Sequence, residues 1–149
     1  MEVLSPISGR IVPLKEVPDE VFAQGLAGEG VAILPHESGE AVAPVSGELV
    51  KLFEGGHAFG ILSREGIELI VHLGLDTIEL RGTGFEKLAT EGDRVDAGQP
   101  IVSFDLPKIE GSGYKVITPV VVSNCAEFPV EQARIGEVNA GDRLFKVRI

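Results

Sequence analysis

Two histidines, His57 and His72, stand at the ends of a segment with the pattern of a β-hairpin. Apolar and polar residues alternate along both arms, which is the period of a strand with one buried face. The polar turn between the arms is centred on Arg64 and Glu65, and this centre places His57 directly opposite His72. Opposed residues in an antiparallel pair have Cβ atoms about 5 Å apart. The spacing therefore predicts that two imidazoles share one site.

A pair of imidazoles suits group transfer, because one ring can attack while the other donates a hydrogen bond to the incoming group. Two imidazoles could also bind zinc. Zinc sites in proteins usually have three or four protein ligands, and no carboxylate or thiol stands at an obvious ligand spacing beside this pair. We therefore expect no metal and no cofactor in the chain alone. A zinc ion shared with a carboxylate of a partner stays open as an alternative.

The bulk composition narrows the class of protein. The 149 residues suit one domain with a substantial core. The net charge of −10 disfavours nucleic acid and anionic membranes as partners and suits a basic protein. The single cysteine excludes an intrachain disulfide framework. The first ten residues do not resemble a signal peptide and no apolar run is long enough for a membrane span, so we expect a cytoplasmic setting without membrane insertion.

The positions of glycine and proline indicate the fold class. The 19 glycines and 9 prolines separate short runs rich in Val, Ile and Leu. This favours an all-β fold, which we expect to be an antiparallel β-sandwich or barrel-like hybrid. The longest helix candidate is the segment from Thr83 to Thr90, which covers only about two turns, and a second possible helical turn lies near Pro18–Phe22. The sequence thus predicts one or two short helices.

Two internal similarities indicate a duplicated β unit. Residues 4–14, LSPISGRIVPL, resemble residues 42–52, VAPVSGELVKL, and residues 95–104 resemble residues 138–147. In the first pair, proline and glycine bracket a turn that leads into a strand. In the second, a glycine closes a tight turn ahead of a strand. Two copies are too few for a solenoid, so we expect the two halves to pack on each other.

The segment around the second histidine resembles a known active-site signature. Residues 70–85, IVHLGLDTIELRGTGF, are similar to that of the glucose-type enzyme IIA of the bacterial phosphoenolpyruvate-dependent sugar phosphotransferase system. The resemblance covers nearly the whole chain and implies a single IIA phosphocarrier domain over residues 1–149. The other matching segments are VPDEVF (17–22), APVSG (43–47), HAF (57–59), EGDRV (91–95), FDLP (104–107) and ITPVVVSN (117–124).

The resemblance implies roles for three catalytic positions. His72 corresponds to the histidine that takes the phosphoryl group on Nε2, and His57 to the one that hydrogen-bonds the bound phosphoryl group. Gly74 stands where a backbone carbonyl holds the Nδ1–H of the nucleophile. The chain departs from the pattern at Gly55, where many members carry a threonine whose hydroxyl joins the hydrogen-bond network. We expect the fine geometry of the network to differ there.

The resemblance also implies a docking surface. Asp76 and Glu29 match acidic positions that meet an arginine of the histidine-containing phosphocarrier protein, and Phe53, Ile70 and Ile78 match its apolar contact surface. The implied function is a phosphoryl relay in sugar uptake, from the phosphocarrier to the IIB domain of a membrane sugar permease. Regulatory target proteins, sensitive to the phosphorylation state, are further expected partners.

An alternative from another class is a biotinyl- or lipoyl-type carrier module. The repeated proline–glycine turns resemble such domains, and Lys108 lies near where a carrier lysine would fall. A carrier lysine stands on a tight hairpin tip between small or sulfur-containing neighbours, whereas Pro107 and Ile109 flank Lys108. The alternative therefore depends on Lys108 lying at a hairpin tip.

Overall fold

The computed structural model describes residues 1–149 and consists mainly of short antiparallel strands. The strands are β1 (Glu2–Leu4), β2 (Gly9–Pro13), β3 (Glu29–Leu34), β4 (Gly39–Val42), β5 (Gly47–Leu52), β6 (Ala58–Ser63), β7 (Glu68–His72), β8 (Phe85–Lys87), β9 (Arg94–Val95), β10 (Pro100–Phe104), β11 (Thr118–Val122), β12 (Val130–Glu131), β13 (Glu137–Val138) and β14 (Arg143–Val147). Two short helices, α1 (Glu20–Ala23) and α2 (Leu106–Gly111), and two 3₁₀ turns, Leu14–Glu16 and Thr77–Leu80, complete the fold. None of these helices is long or apolar enough to cross a bilayer.

The strands form one large sheet and two small ones, and every pairing is antiparallel. The large sheet has eight strands in the order β13-β2-β3-β11-β7-β6-β5-β9, and the three-stranded sheets are β4-β10-β8 and β1-β14-β12. The main core contains 29 buried residues, and a smaller core of 7 includes Phe22 of α1. The central strand β11 is buried on both faces, because Val120 and Val122 enter the main core while Val121 enters the smaller one. The expected all-β class with two short helices is confirmed.

The register of the β6–β7 hairpin differs from the predicted one. Ala58, and not His57, lies opposite His72, and Phe59 lies opposite Val71. The predicted direct opposition of the two histidines was therefore wrong by one residue. The apolar faces favour the observed register, because it places buried Ile61 opposite buried Leu69, whereas the predicted turn centre placed Ile61 opposite the exposed Glu68.

The predicted duplication is visible in equivalent hydrogen bonds. Ahead of β2, the hydroxyl of Ser8 accepts a hydrogen bond from the N–H of Ala140 at 2.9 Å. Ahead of β5, the hydroxyl of Ser46 accepts one from the N–H of Ala97 at 2.8 Å. Residues 4–14 thus contact the turn of residues 138–147 in the same way that residues 42–52 contact the turn of residues 95–104.

The helix predicted over Thr83–Thr90 was wrong. Residues Phe85–Lys87 form β8 and pair with β10. Gly82 and Gly84 have φ of 93° and 92°, outside the range of a right-handed helix, so the chain cannot begin a helix there. The predicted turn near Pro18–Phe22 does contain α1.

The second helix, α2, was not predicted from the sequence. It begins after Asp105, whose side chain accepts a hydrogen bond from the N–H of Lys108 at 3.1 Å, and Pro107 occupies its first turn. An N-cap aspartate followed by proline is a helix-start signal. Lys108 therefore lies inside a capped helix and not at a hairpin tip, which removes the structural basis of the carrier-module alternative.

Candidate functional site

The two histidines lie in contact within a row of four aromatic rings. The ring centroids of His57 and His72 are 5.4 Å apart with an interplanar angle of 69°. Phe53 meets His57 edge-on at 5.1 Å, and Phe22 meets His72 edge-on at 5.7 Å. Edge-to-face contacts at these distances are favourable. The row fixes the positions of both imidazoles, with His57 buried at 4% exposure and His72 half-buried.

The irregular backbone before β6 explains how the rings meet despite the shifted register. His57 lies outside β6, directly after Gly56, which has a φ of 81°. The N–H of Gly56 donates to the carbonyl of Phe53 at 2.8 Å, and the N–H of Leu73 donates to the carbonyl of His57 at 2.7 Å. The regular alternation of strand side chains does not extend to this turn. His57 can therefore reach His72, which lies diagonally across the hairpin.

The backbone after β7 determines the tautomer of His72, that is, which ring nitrogen carries the hydrogen. Its Nδ1 lies 2.6 Å from the carbonyl oxygen of Gly74. A carbonyl can only accept a hydrogen bond, so in the neutral ring Nδ1 carries the hydrogen and Nε2 keeps its lone pair. Gly74 has a φ of 81°, and a Cβ built there would lie 2.6 Å from Cγ2 of Thr77 and 2.7 Å from the carbonyl oxygen of Lys115. Only glycine fits this position without displacing its neighbours.

Both imidazoles are neutral near pH 7. Burial, assisted by the neighbouring His72, lowers the pKa of His57 to about 4. Burial also lowers the pKa of His72, while the Gly74 carbonyl and the carboxylates of Asp19 and Asp76 act in the opposite direction. A neutral ring with a fixed tautomer is the nucleophilic form of histidine, so the pair can offer one nucleophilic nitrogen and one neutral N–H donor.

The predicted surface residues divide between the two sides of the aromatic row. Phe53, Gly55 and Ile78 line an open groove beside His57, and Ile78 is 57% exposed. Glu29 lines a separate concavity on the side of Phe22. Ile70 is half-buried and packs against the smaller core. The predicted residues therefore do not form one continuous pocket.

Two residues of the site were not singled out in the sequence. Asp19 acts on the pKa of His72, and Phe22 contacts its ring. Phe22 belongs to α1 and Asp19 caps it, since the Asp19 carboxylate accepts a hydrogen bond from the N–H of Val21 at 2.9 Å. The available signal was the N-cap aspartate ahead of a helical turn.

The structure contains no group of three or more His, Cys, Asp and Glu side chains arranged to hold a metal ion.

Comparison with known proteins identifies the family. Residues 1–128 match the family described as "phosphoenolpyruvate-dependent sugar phosphotransferase system, EIIA 1". The chain belongs to this family. It is an EIIA component, and as such it relays phosphate in sugar uptake as part of a phosphotransferase system.

The relatives extend the match over nearly the whole chain. The glucose-specific EIIA component of Haemophilus influenzae is 44% identical over 144 residues, which cover 97% of this chain and 86% of that protein. The glucose-specific EIICBA component of Staphylococcus carnosus is 42% identical over 146 residues, 98% of this chain but only 22% of that longer protein. Among solved structures, glucose permease IIA from Mycoplasma capricolum matches with a TM-score of 0.92 and 39% identity, covering 97% of this chain and 94% of that one. The chain therefore has the fold of that solved IIA structure.

Proposed function

We propose that His72 is the phosphoryl acceptor of this EIIA component and that its nucleophilic atom is Nε2. The observation that supports this best is the 2.6 Å contact between Nδ1 and the Gly74 carbonyl, which leaves the lone pair on Nε2. The donor we propose is a phosphohistidine of the histidine-containing phosphocarrier protein. The Nε2 lone pair attacks phosphorus while the donor's P–N bond breaks and its electrons return to the donor imidazole. No nucleotide is required.

The onward step reverses this electron flow. A thiolate of the permease IIB domain attacks phosphorus, the bond to Nε2 breaks, and His72 regains its lone pair. The EIICBA relative, in which the matching segment is one part of a longer chain, supports a IIB domain as the acceptor. We expect residues 1–149 to act as one IIA domain on the cytoplasmic side of the membrane.

His57 is proposed to stabilise the phosphoryl group without accepting it. It is buried, and its pKa of about 4 keeps it neutral, so it can donate one N–H to a phosphoryl oxygen. Phosphoryl transfer depends mainly on positioning and on charge stabilisation. A donor held 5.4 Å from the acceptor ring, centroid to centroid, suits this role.

The partners are proposed to dock across the aromatic row, with the groove beside His57 on one side and the concavity that Glu29 lines on the other. Phe53 and Ile78 supply apolar surface beside His57, and Ile70 supports the strand that carries His72. Asp76 and Glu29 add negative charge to a protein of net charge −10. These acidic residues would steer a basic phosphocarrier and set its orientation more than they would add affinity.

Phosphorylation with purified phosphoenolpyruvate, enzyme I and phosphocarrier tests the proposal. The protein should gain one acid-labile phosphate, mapped by mass spectrometry under mild alkaline conditions to His72. His72→Gln should gain none, and His36→Gln is the matched control, because His36 is exposed and pairs with Glu137 away from the site. Labelling of His72→Gln at the wild-type level would refute the assignment.

The role of His57 requires a separate measurement of each half-reaction. His57→Gln should accept phosphate from the phosphocarrier nearly as well as wild type but should transfer it to the IIB domain more slowly. Rapid-quench kinetics with phosphorylated protein and isolated IIB domain measures the second step. An unchanged onward rate would exclude the proposed stabilising role.

A further inference from the structure

Thr77 is a buried polar residue that neither the sequence patterns nor the proposed docking surface use. Its side chain is 0% exposed, and its hydroxyl donates a hydrogen bond to the carbonyl of Leu73 at 2.6 Å. It opens the 3₁₀ turn Thr77–Leu80 directly after Asp76, which has a φ of 59°. This turn brings the Thr77 side chain back to Leu73, which lies four residues earlier and directly after the end of β7.

The hydrogen bond of Thr77 belongs to a set that holds two consecutive peptide groups. The first is the Leu73–Gly74 peptide, whose carbonyl receives the Thr77 hydroxyl. The second is the Gly74–Leu75 peptide, whose N–H donates to the carbonyl of Lys115 at 3.0 Å. The carbonyl of this second peptide accepts the Nδ1–H of His72. Rotation of the first peptide would change ψ at Leu73 and φ at Gly74, and would carry the second carbonyl away from the imidazole.

We infer that Thr77 is a positioning residue that sets the tautomer of His72 through the backbone of Gly74. The hydroxyl fixes the Leu73–Gly74 peptide, and its Cγ2 lies 2.6 Å from where a Cβ on Gly74 would be, so the side chain also occupies the space beside Gly74. Without the hydroxyl, the Gly74 carbonyl can turn away, and His72 then populates the Nε2–H tautomer. That tautomer has no lone pair on Nε2.

The inference rests on the proposed function only in naming Nε2 as the nucleophile. The tautomer itself is a property of the free protein, and nitrogen-15 NMR of the imidazoles measures it without any phosphoryl transfer. Thr77→Val removes the hydroxyl at nearly constant shape, whereas Thr77→Ser keeps it. In Thr77→Val we expect Nε2–H signal to appear for His72, and we expect phosphoryl acceptance to slow by about ten- to hundredfold, as for a small misplacement of a reacting group. Thr77→Ser should keep the wild-type tautomer and rate.

The resonances of His36 are the internal control, since that ring is exposed and pairs with Glu137 away from the two histidines. If Thr77→Val crowds the site and does not fold, Thr77→Ala removes the same hydroxyl with less volume, and amide spectra report the fold of each variant. Hydroxyl-free variants that fold and retain the Nδ1–H tautomer would overturn the inference. If the tautomer of His72 shifts in these variants but the phosphate of the wild-type protein maps to a different residue, the inference stands and the assignment of His72 is refuted instead.

Discussion

Gly74→Ala should lower the stability of the protein for two separate reasons. The first is conformational: the φ of 81° is unfavourable for any residue with a Cβ, at about 1–2 kcal/mol. The second is steric, because the added Cβ would lie 2.6 Å from Cγ2 of Thr77 and 2.7 Å from the carbonyl oxygen of Lys115. Overpacking of this kind costs about 1–3 kcal/mol. The free energy of unfolding should therefore fall by about 2–5 kcal/mol.

Gly98→Ala is the matched control for this substitution. Gly98 has a φ of 90°, and a Cβ built there would meet nothing within 4 Å. It therefore incurs only the conformational cost of about 1–2 kcal/mol. Urea denaturation of both variants, compared at equal m-value, measures the difference. A loss in Gly74→Ala no larger than in Gly98→Ala would refute the steric argument.

The double variant Gly74→Ala/Thr77→Ser identifies the neighbour that resists the new Cβ. Serine removes Cγ2 of Thr77 and keeps the hydroxyl that bonds Leu73. If the Thr77 methyl group is responsible, the double variant should recover part of the lost stability, and a double-mutant cycle should give a favourable coupling energy. If the Lys115 carbonyl is responsible, the two losses should simply add.

Three further predictions concern other parts of the molecule. The pKa of His57 is about 4 in the folded protein and 6.5 for a free imidazole, so the unfolded chain binds more protons between these two pH values. The free energy of unfolding should therefore decrease as the pH is lowered from 6.5, by about 3 kcal/mol at pH 4. His57→Gln should remove this part of the pH dependence in acid denaturation. Asp19→Asn, which keeps an N-cap acceptor, should lower the pKa of His72 in an NMR titration because it removes a neighbouring negative charge; an unchanged pKa would contradict that. Ser8→Ala and Ser46→Ala should each cost about 1 kcal/mol in thermal unfolding, and clearly unequal losses would argue against equivalent halves.

The sequence predicted the existence of the histidine site better than its geometry. The alternation along the hairpin arms placed both strands correctly, but the register was inferred from an assumed turn centre and not from the matching of buried faces, and it came out one residue away. The rings nevertheless lie in contact, because His57 follows a positive-φ glycine outside the strand. A prediction based on regular strands therefore reached the correct pair of residues through an incorrect pairing.

The long-range parts of the site could not be predicted from local patterns. Lys115 contributes a backbone carbonyl to the Gly74 turn, and its residue type gives no sign of this. Phe22 contacts His72 from 50 positions away in the chain, through a helix of only 4 residues. Such a helix is too short for an amphipathic period to be recognised. The β8 segment was mistaken for a helix because its residue types suit one, while the flanking glycines have backbone angles that exclude it.

Gly55 stands where the resemblance of the sequence to the family signature implies a threonine, and the structure gives a reason against introducing that threonine. A Cβ built on Gly55 would lie 3.0 Å from the backbone nitrogen of Gly82, so Gly55→Thr must move the turn that carries His57 or the segment at Gly82. We expect this variant to lose about 1 kcal/mol of stability and to gain no rate in onward transfer, because the added hydroxyl arrives with a displaced His57. Gly55→Ala separates the two effects, since it adds the Cβ without the hydroxyl and should show the same loss of stability. Faster transfer in Gly55→Thr than in both wild type and Gly55→Ala would show that the hydroxyl can join the network on this backbone, and that close approach to Gly82 does not explain the glycine.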